Sequence, residues 1–525
     1  MRYLLIILLF LPLSCRQNPA DFIDVDNMKR ITRELASDEF MGREPFTPGE
    51  EITVEFLAKE LENIGFLPAF DDSYFQDVPL IQITSDVSRD AVINIGGKSI
   101  SLSTPDMIAI NSPLPVDKVE IKNAGLVFCG FGIEAPEYGW NDFKETDLSG
   151  KIMVVLVNDP GFYTKDETLF RGSEMTYYGR WTYKFDIAAR KGADGVLIVH
   201  ETKGAGYGFN VPRNSSVSPK LFIDSDDINN NAKLTGWLSA SSADELFRSC
   251  GYTTEELTEL ALSEEFKPID LNASLSVGIT NTIVKNSSKN VAGILRGTLN
   301  PDEAVVITAH WDHFGIGEKV DGDSIYNGAV DNATAMAWAL ETARVLSEMR
   351  VRPQRSVVLL FPTAEEQGLL GSYYYVDNPA TPIDKVVACI NNDMMLPRGV
   401  MKDVTMIGFG YSTLDDIYNR SAKKQKRYLL PDPNSHTGLF FRSDHFPFFK
   451  AGVPAIWAFG SFDSAENGEQ WAHDTWNHFI DNVYHTPADN YDSNWNWDGM
   501  VLDTELTINV IVELSRASTP PPYIL

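Results

Sequence analysis

The sequence predicts an α/β fold: a mixed, mostly parallel sheet with helices on both faces, plus a small inserted α/β unit. Three observations carry this expectation. From residue 291 onward, apolar strand segments alternate with helical ones, the pattern of a sheet covered on both sides. Between about 118 and 275 a second strand–helix alternation forms a unit of its own. The chain has 525 residues, 43% of them hydrophobic and 11% aromatic, enough for more than one core.

The first element is MRYLLIILLFLPLSC. Its apolar run, Tyr3 to Leu13, is too short to span a bilayer and fits an export signal. Cys15 directly follows, an arrangement that resembles a bacterial lipoprotein signal, although Pro12 stands where a leucine is usual. Residues 1–15 are therefore expected to be a signal peptide ending at a lipidated Cys15. The protein is expected in the cell envelope, anchored to a membrane; an ordinary cleaved signal and a periplasmic or secreted protein is the alternative. No other stretch reads as transmembrane.

Residues 21–117 read as the N-terminal part of the main domain. VDNMKRITRELAS predicts a helix. Ile52, Phe56, Leu57, Leu61 and Ile64 recur at helical spacing, with Gly65 as the stop. Residues 72–115 read as irregular β structure. In the insertion, 118–275, AGLVFCGFG and GKIMVVLVND are strand-like, and RWTYKFDIAARKGADGVLIVHE reads as helix, turn and strand. The polar stretch VKNSSKNV is expected to close it. Residues 276–518 supply the strands AVVITAH, SVVLLFPTAEE, KVVACINNDMM, DVTMIGFG and VPAIWAFG and the helix DNATAMAWALETARVLSEM, before an irregular tail.

A formal net charge of -29 leaves no basic field to displace counterions, which argues against a nucleic-acid partner. The excess acid suits a solvated surface, and part of it suits a cation. After Cys15 the cysteines are Cys129, Cys250 and Cys389. No CxxC pair marks a structural zinc site. Cys389 reads as a buried strand residue, and pairing of Cys129 with Cys250 stays open.

Open α/β sheets place their sites beyond the carboxyl ends of the strands. Those ends carry His310, Trp311, Asp312 and His313, then Glu365 and Glu366, then Asp393. Asp331 begins the alanine-rich helix, and His485 comes late in NVYHTPADN. Taken singly, each has an ordinary explanation: a solvated helix start for the glutamates, an N-cap for Asp331, a turn for Asp393, packing for Tyr484. Together they form a set of imidazoles and carboxylates without thiolate, which suits zinc. The set is larger than one ion needs; two ions sharing one carboxylate would use it. Adjacent residues in extended backbone point to opposite sides. One of the paired glutamates can then bind metal while its neighbour takes a proton from water.

AHWDHFG, NGAVDNATA, PTAEEQGLLGS, NNDMM and VYHTPAD, in that order, resemble the co-catalytic di-zinc aminopeptidases, clan MH metallopeptidases whose wider family includes glutamate carboxypeptidase and glutaminyl cyclase relatives. GREPFTPGE resembles the segment before the family's first helix. The likeness covers most of 25–115 and 280–515. It implies two Zn2+ ions and peptide substrates. His310 and Asp393 would bind one zinc, Glu366 and His485 the other, and Asp331 would bridge them. Glu365 would be the general base, Asp312 the carboxylate orienting His310, and Tyr484 the donor to the oxyanion. His313 has no ligand role in that pattern, and Thr334-Ala335 depart from the usual helix start. RSDHFPF resembles a segment near the family's substrate pocket. DLSGKIMVV and AARKGADGVLIV make 118–275 resemble a protease-associated domain, which shapes access and carries no chemistry.

Several rivals are weighed. A carboxypeptidase needs arginines on a terminal carboxylate, for which Arg398 and Arg442 are candidates. Glutaminyl cyclase relatives bind one zinc, fewer than this ligand set serves. A non-enzymatic receptor on the same fold would have lost ligands. A serine hydrolase built on Ser443-Asp444-His445 is rejected, since consecutive residues do not converge as a triad and no GxSxG elbow is present.

Overall fold

The computed structural model describes residues 18–87 and 90–523; the apolar signal and Cys15 lie outside the described residues. Four parallel strands form the centre of the main sheet, in the spatial order Arg355–Phe361, Asn300–Thr308, Val386–Asn391, Ala455–Phe459. Antiparallel strands flank them. The end of Ile269–Leu295 pairs with Arg355–Phe361 on one side, and Asp403–Ile407 pairs with Ala455–Phe459 on the other. The sheet is thus mixed and mostly parallel.

Three of these four strands are buried along their whole length, and Asn300–Thr308 is buried from Ala304 onward, as covering on both faces requires. Alternate residues serve the two faces. Val305, Ile307, Val357 and Leu359 pack with Met28, Ile31, Trp338, Leu346, Ile508 and Ile511, from helices Val25–Leu35, Thr334–Glu348 and Asp498–Arg516. Val306, Val358 and Leu360 pack instead with Tyr375 and Phe448, from helices Leu370–Asp377 and His445–Lys450. The first helix is capped by Asp24, whose carboxylate accepts from the backbone of Asp26 and Asn27.

A second unit has its own core, including Phe128, Val155, Ile187, Ile198 and Phe247. Its strands Lys118–Phe128, Ile152–Leu156, Gly195–Val199 and Leu234–Leu238 run parallel in that order.

The strand Ile269–Leu295 joins the two units without a linker. Its first part pairs with Lys118–Phe128, its middle with Phe75–Asp86 and its end with Arg355–Phe361. Residue 275 lies inside it. VKNSSKNV, expected to close the insertion as a polar stretch, is strand. The reason lies in its inward side chains, which find polar partners. Ser288 donates through Oγ to Glu50 at 2.9 Å, and Asn290 donates through Nδ2 to the Gly371 carbonyl at 2.9 Å. Both are fully buried. Cys129 and Cys250 are unpaired, and Cys389 is buried in its strand. No described helix is long and apolar enough to cross a membrane.

Candidate metal centre

Six residues named from the sequence meet beyond the strand ends. His310 follows strand Asn300–Thr308, and Asp393 follows Val386–Asn391. His310 Nε2 lies 3.3 Å from Asp331 Oδ1, 3.4 Å from Asp393 Oδ1 and 3.9 Å from Glu365 Oε2. His485 Nε2 lies 3.2 Å from Asp331 Oδ2 and 3.2 Å from Glu366 Oε2. The two oxygens of Asp331 thus face two different histidines, with Asp393 on one side and Glu366 on the other. Tyr484 stacks on His485, ring centroids 3.6 Å apart.

His313, for which the resemblance gives no role, sits in this cluster. Its Nδ1 is 2.7 Å from Glu366 Oε1, leaving Oε2 toward His485. His313, Asp331 and Glu366 are close enough to form a metal-binding group of their own, alongside His310, Asp331 and Asp393. Asp312 also differs from its expected part. The His310 Nδ1 partner is the Asp312 backbone carbonyl at 3.1 Å, and the carboxylate stands 3.9 Å away. That carboxylate instead accepts the backbone N–H of Glu365 at 3.0 Å and of Glu366 at 3.3 Å. It fixes the turn that sends the two glutamates to separate positions.

Other residues hold the frame. Arg43, from GREPFTPGE, is fully buried and donates to the carbonyls of Trp311, Leu35, Asn327, Gly328 and Asp331. Asp489 accepts the backbone N–H of Val330 and Asp331. Gly328 has φ of +55°, and a Cβ there would meet the Asp331 carbonyl at 2.1 Å, so the turn presenting Asp331 admits only glycine. Asn391 donates to Ser443 Oγ, which donates to Asp393 Oδ2 at 2.8 Å. Each of these frame residues lies inside a quoted motif: Arg43 in GREPFTPGE, Gly328 in NGAVDNATA, Asn391 in NNDMM, Ser443 in RSDHFPF and Asp489 in VYHTPAD. Arg398, a candidate carboxylate clamp, turns both Nη atoms to Ser461, Ala472 and Thr475.

The electrostatics fit a cation. Burial raises Glu365 well above the carboxylate range, helped by Asp393 and Glu366. It raises Asp393 too, and takes Asp312 up to about 7. Burial alone would lower His485, but Glu366 and Asp331 outweigh it and raise the imidazole to about 10. Imidazoles raised in this way face a field that favours positive charge between them and the carboxylates. Asp331 Oδ1, Asp393 Oδ1 and His485 Nε2 are buried with no hydrogen-bond partner. Unsatisfied nitrogen and carboxylate oxygen atoms aimed at common points are what zinc ligands require. The donor set fits two zinc ions that share Asp331.

Comparison with known proteins agrees. Residues 290–510 match the family model described as Peptidase family M28. Over these residues the chain is similar to that family. Among its relatives, leupeptin-inactivating enzyme 1 of Streptomyces exfoliatus is 29% identical over 208 residues, covering 38% of this chain and 45% of that protein. Aminopeptidase NAALADL1 of Mus musculus is 31% identical over 144 residues, 26% of this chain and 18% of that one. The chain therefore spans less than half the length of these relatives. The solved aminopeptidase from Aneurinibacillus sp. strain AM-1 shares the fold, with a TM-score of 0.53 over 96% of this chain and 97% of that one, at 18% identity.

Proposed function

We propose that the protein is an exported, zinc-dependent aminopeptidase that removes N-terminal residues from peptides. The observation that carries this reading is one carboxylate, Asp331, facing two histidines from opposite sides, each with a further carboxylate beside it. His310 and Asp393 would hold one zinc, Glu366 and His485 the other, with Asp331 between; His313 keeps Glu366 in position. When bound, the metals supply Lewis acidity at the scissile carbonyl and lower the pKa of the attacking water.

The protein's own groups do the rest. Glu365 accepts the proton of the attacking water at its carboxylate and returns it to the departing amine. Its burial and its carboxylate neighbours make it a strong base, which suits this task. Tyr484 donates its hydroxyl to the oxygen that gains charge. Asp312 holds the backbone of Glu365 and Glu366, so that base and ligand keep their separation. A free α-amine has an electrostatic reason to lie near this cluster of carboxylates. The 118–275 unit, read as protease-associated-like, shapes access. Cys15 anchors the chain to the membrane.

The test is a mass-spectrometric digest of a mixed peptide library by the zinc-loaded protein, each peptide present with a free and an acetylated N-terminus. Loss of single N-terminal residues from free peptides alone is expected. Trimming from the C-terminus, or equal cleavage of both forms, would refute the aminopeptidase reading.

A further inference from the structure

Among the described residues, one buried arginine lacks both a counter-ion and a carbonyl cage. Arg180 stands immediately before helix Trp181–Arg190 of the second unit and is 6% exposed. Among the described residues its guanidinium has no hydrogen bond and no ion pair, and its Nε is buried without a partner. Another arginine, Arg442 of the main domain, meets the same turn: it bonds the Thr437 carbonyl, and a Cβ at the next residue, Gly438, would stand 3.3 Å from Arg180 Cδ. Burial, with Arg442 adding to it, lowers Arg180 to about 9. Arg442 also has a buried, unpartnered Nε. It donates once, from Nη2 to the Thr437 carbonyl at 2.7 Å, and its guanidinium lies 5.9 Å from the Tyr207 ring. Besides Arg442, the titratable groups whose charge acts on Arg180 are the phenols of Tyr207, Tyr177 and Tyr373.

The contrast with other buried arginines is informative. Arg43 is spent on carbonyls and Arg427 on Asp503 at 2.7 Å; Arg398 shares the unpartnered Nε but fills both Nη atoms with Ser461, Ala472 and Thr475. Burying a charge unpaired is costly, and a half-buried like charge beside it adds to the cost. A planar fork with free N–H groups is the complement of a carboxylate. The pair also borders the metal centre. Arg442 precedes Ser443, which bonds Asp393, and Tyr373 follows Ser372, which bonds Asp444.

We propose that Arg180 and Arg442, one from each unit, together bind a carboxylate of the peptide substrate. The choice of a peptide rests on the peptidase reading; the arginine pair by itself requires only an anion. The carboxylate has two sources: the C-terminus of a short peptide, or an aspartate or glutamate side chain. In either case the second unit contributes directly to substrate selection.

The experiment is calorimetric binding of three tripeptides with a reduced, uncleavable first bond to the zinc-loaded full chain. One has a free C-terminal acid, one a C-terminal amide, and one a C-terminal amide with glutamate at its third position. Wild type is expected to bind a carboxylate-bearing probe roughly 10-fold or more tighter than the plain amide. A preference for the free acid assigns the terminus, and a preference for the glutamate amide assigns the side chain. Arg180→Gln and Arg442→Gln should each reduce the preference to about twofold or less, and Arg442→Lys should keep part of it. Equal binding of all three probes by wild type overturns the proposal without any variant. So does a preference that survives in both glutamine variants. A protein that cleaves no peptide but still separates acid from amide keeps the anion site and loses the peptidase reading; the reverse result does the opposite.

Discussion

Replacing Arg43 tests whether the site is held by one buried guanidinium. Its contacts are 2.9 Å to the Trp311 carbonyl, 2.7 Å to Leu35, 2.5 Å to Asn327, 3.0 Å to Gly328 and 3.4 Å to Asp331. Burial opposes the charge, lowering its pKa from 12.5 to about 10, a cost of about 3 kcal/mol. Hydrogen bonds from a charged donor return about 1.5–3 kcal/mol each, so the contacts together outweigh that cost. A lysine has three donors on one nitrogen and cannot reproduce the fork. Arg43→Lys should therefore lose at least two contacts and about 2–4 kcal/mol. Arg43→Met leaves every one of these buried carbonyls short of a donor and should lose more. Urea unfolding of the zinc-loaded protein, followed by fluorescence of the buried Trp311, Trp338 and Trp457, gives both values. An Arg43→Lys protein within about 0.5 kcal/mol of wild type, or an Arg43→Met protein as stable as Arg43→Lys, would refute the reasoning, since surface-like changes have that size.

Three further outcomes are expected. Glu365→Gln should keep its zinc, measured by elemental analysis, and lose roughly 100- to 10,000-fold in peptide turnover; a zinc-loaded variant near wild-type turnover removes Glu365 as the base. Chelation should lower the melting temperature in calorimetry and added zinc should restore it, by about 4 kcal/mol with free zinc at 1,000 times its Kd, because Asp331, Glu366 and Asp393 lose their compensating charge; an unchanged transition would argue against a metal at this site. His445 is enclosed by Phe440, Trp457 and Asn391, and burial lowers it from 6.5 to about 3. Below pH 6.5 the unfolded chain takes up a proton there that the folded chain refuses, so this contribution to stability is present above 6.5 and falls as pH drops toward 3. The slope is about 1.4 kcal/mol per pH unit, and His445→Gln should show a shallower acid loss than wild type; equal slopes would contradict the assignment.

The strand ends made much of this site readable in advance. His310, Glu365, Glu366 and Asp393 follow apolar runs whose class and direction were plain, so the sheet brings them together with Asp331 and His485. The helices at 25–35 and 48–63 were equally plain from their spacing. Other features hid for definite physical reasons. Ser288 and Asn290 read as part of a polar closing stretch because their partners, Glu50 and Gly371, come from distant parts of the chain. Arg43 looks like any arginine until five carbonyls close around it. Asp312 lies two residues from His310, but its carboxylate turns to the backbone of Glu365 and Glu366, and spacing alone does not show which way it turns.

The continuous strand Ile269–Leu295 changes what the second unit can do. A unit joined by a flexible linker would swing relative to the site, and a side chain on it could not be held to a fixed partner. Here the backbone passes from one sheet into the other while hydrogen-bonded on its way, to Lys118–Phe128, then Phe75–Asp86, then Arg355–Phe361. The same strand places Ser288 and Asn290 against Thr363 and Gly371, on either side of the paired glutamates. Moving the second unit would therefore strain the turn that carries Glu365 and Glu366. Aromatic packing of Tyr177 on Phe441 and Phe446 closes the contact from the other side. A rigid junction of this kind lets an arginine from each unit share one substrate group, because the distance between them is set by the fold and not by the ligand.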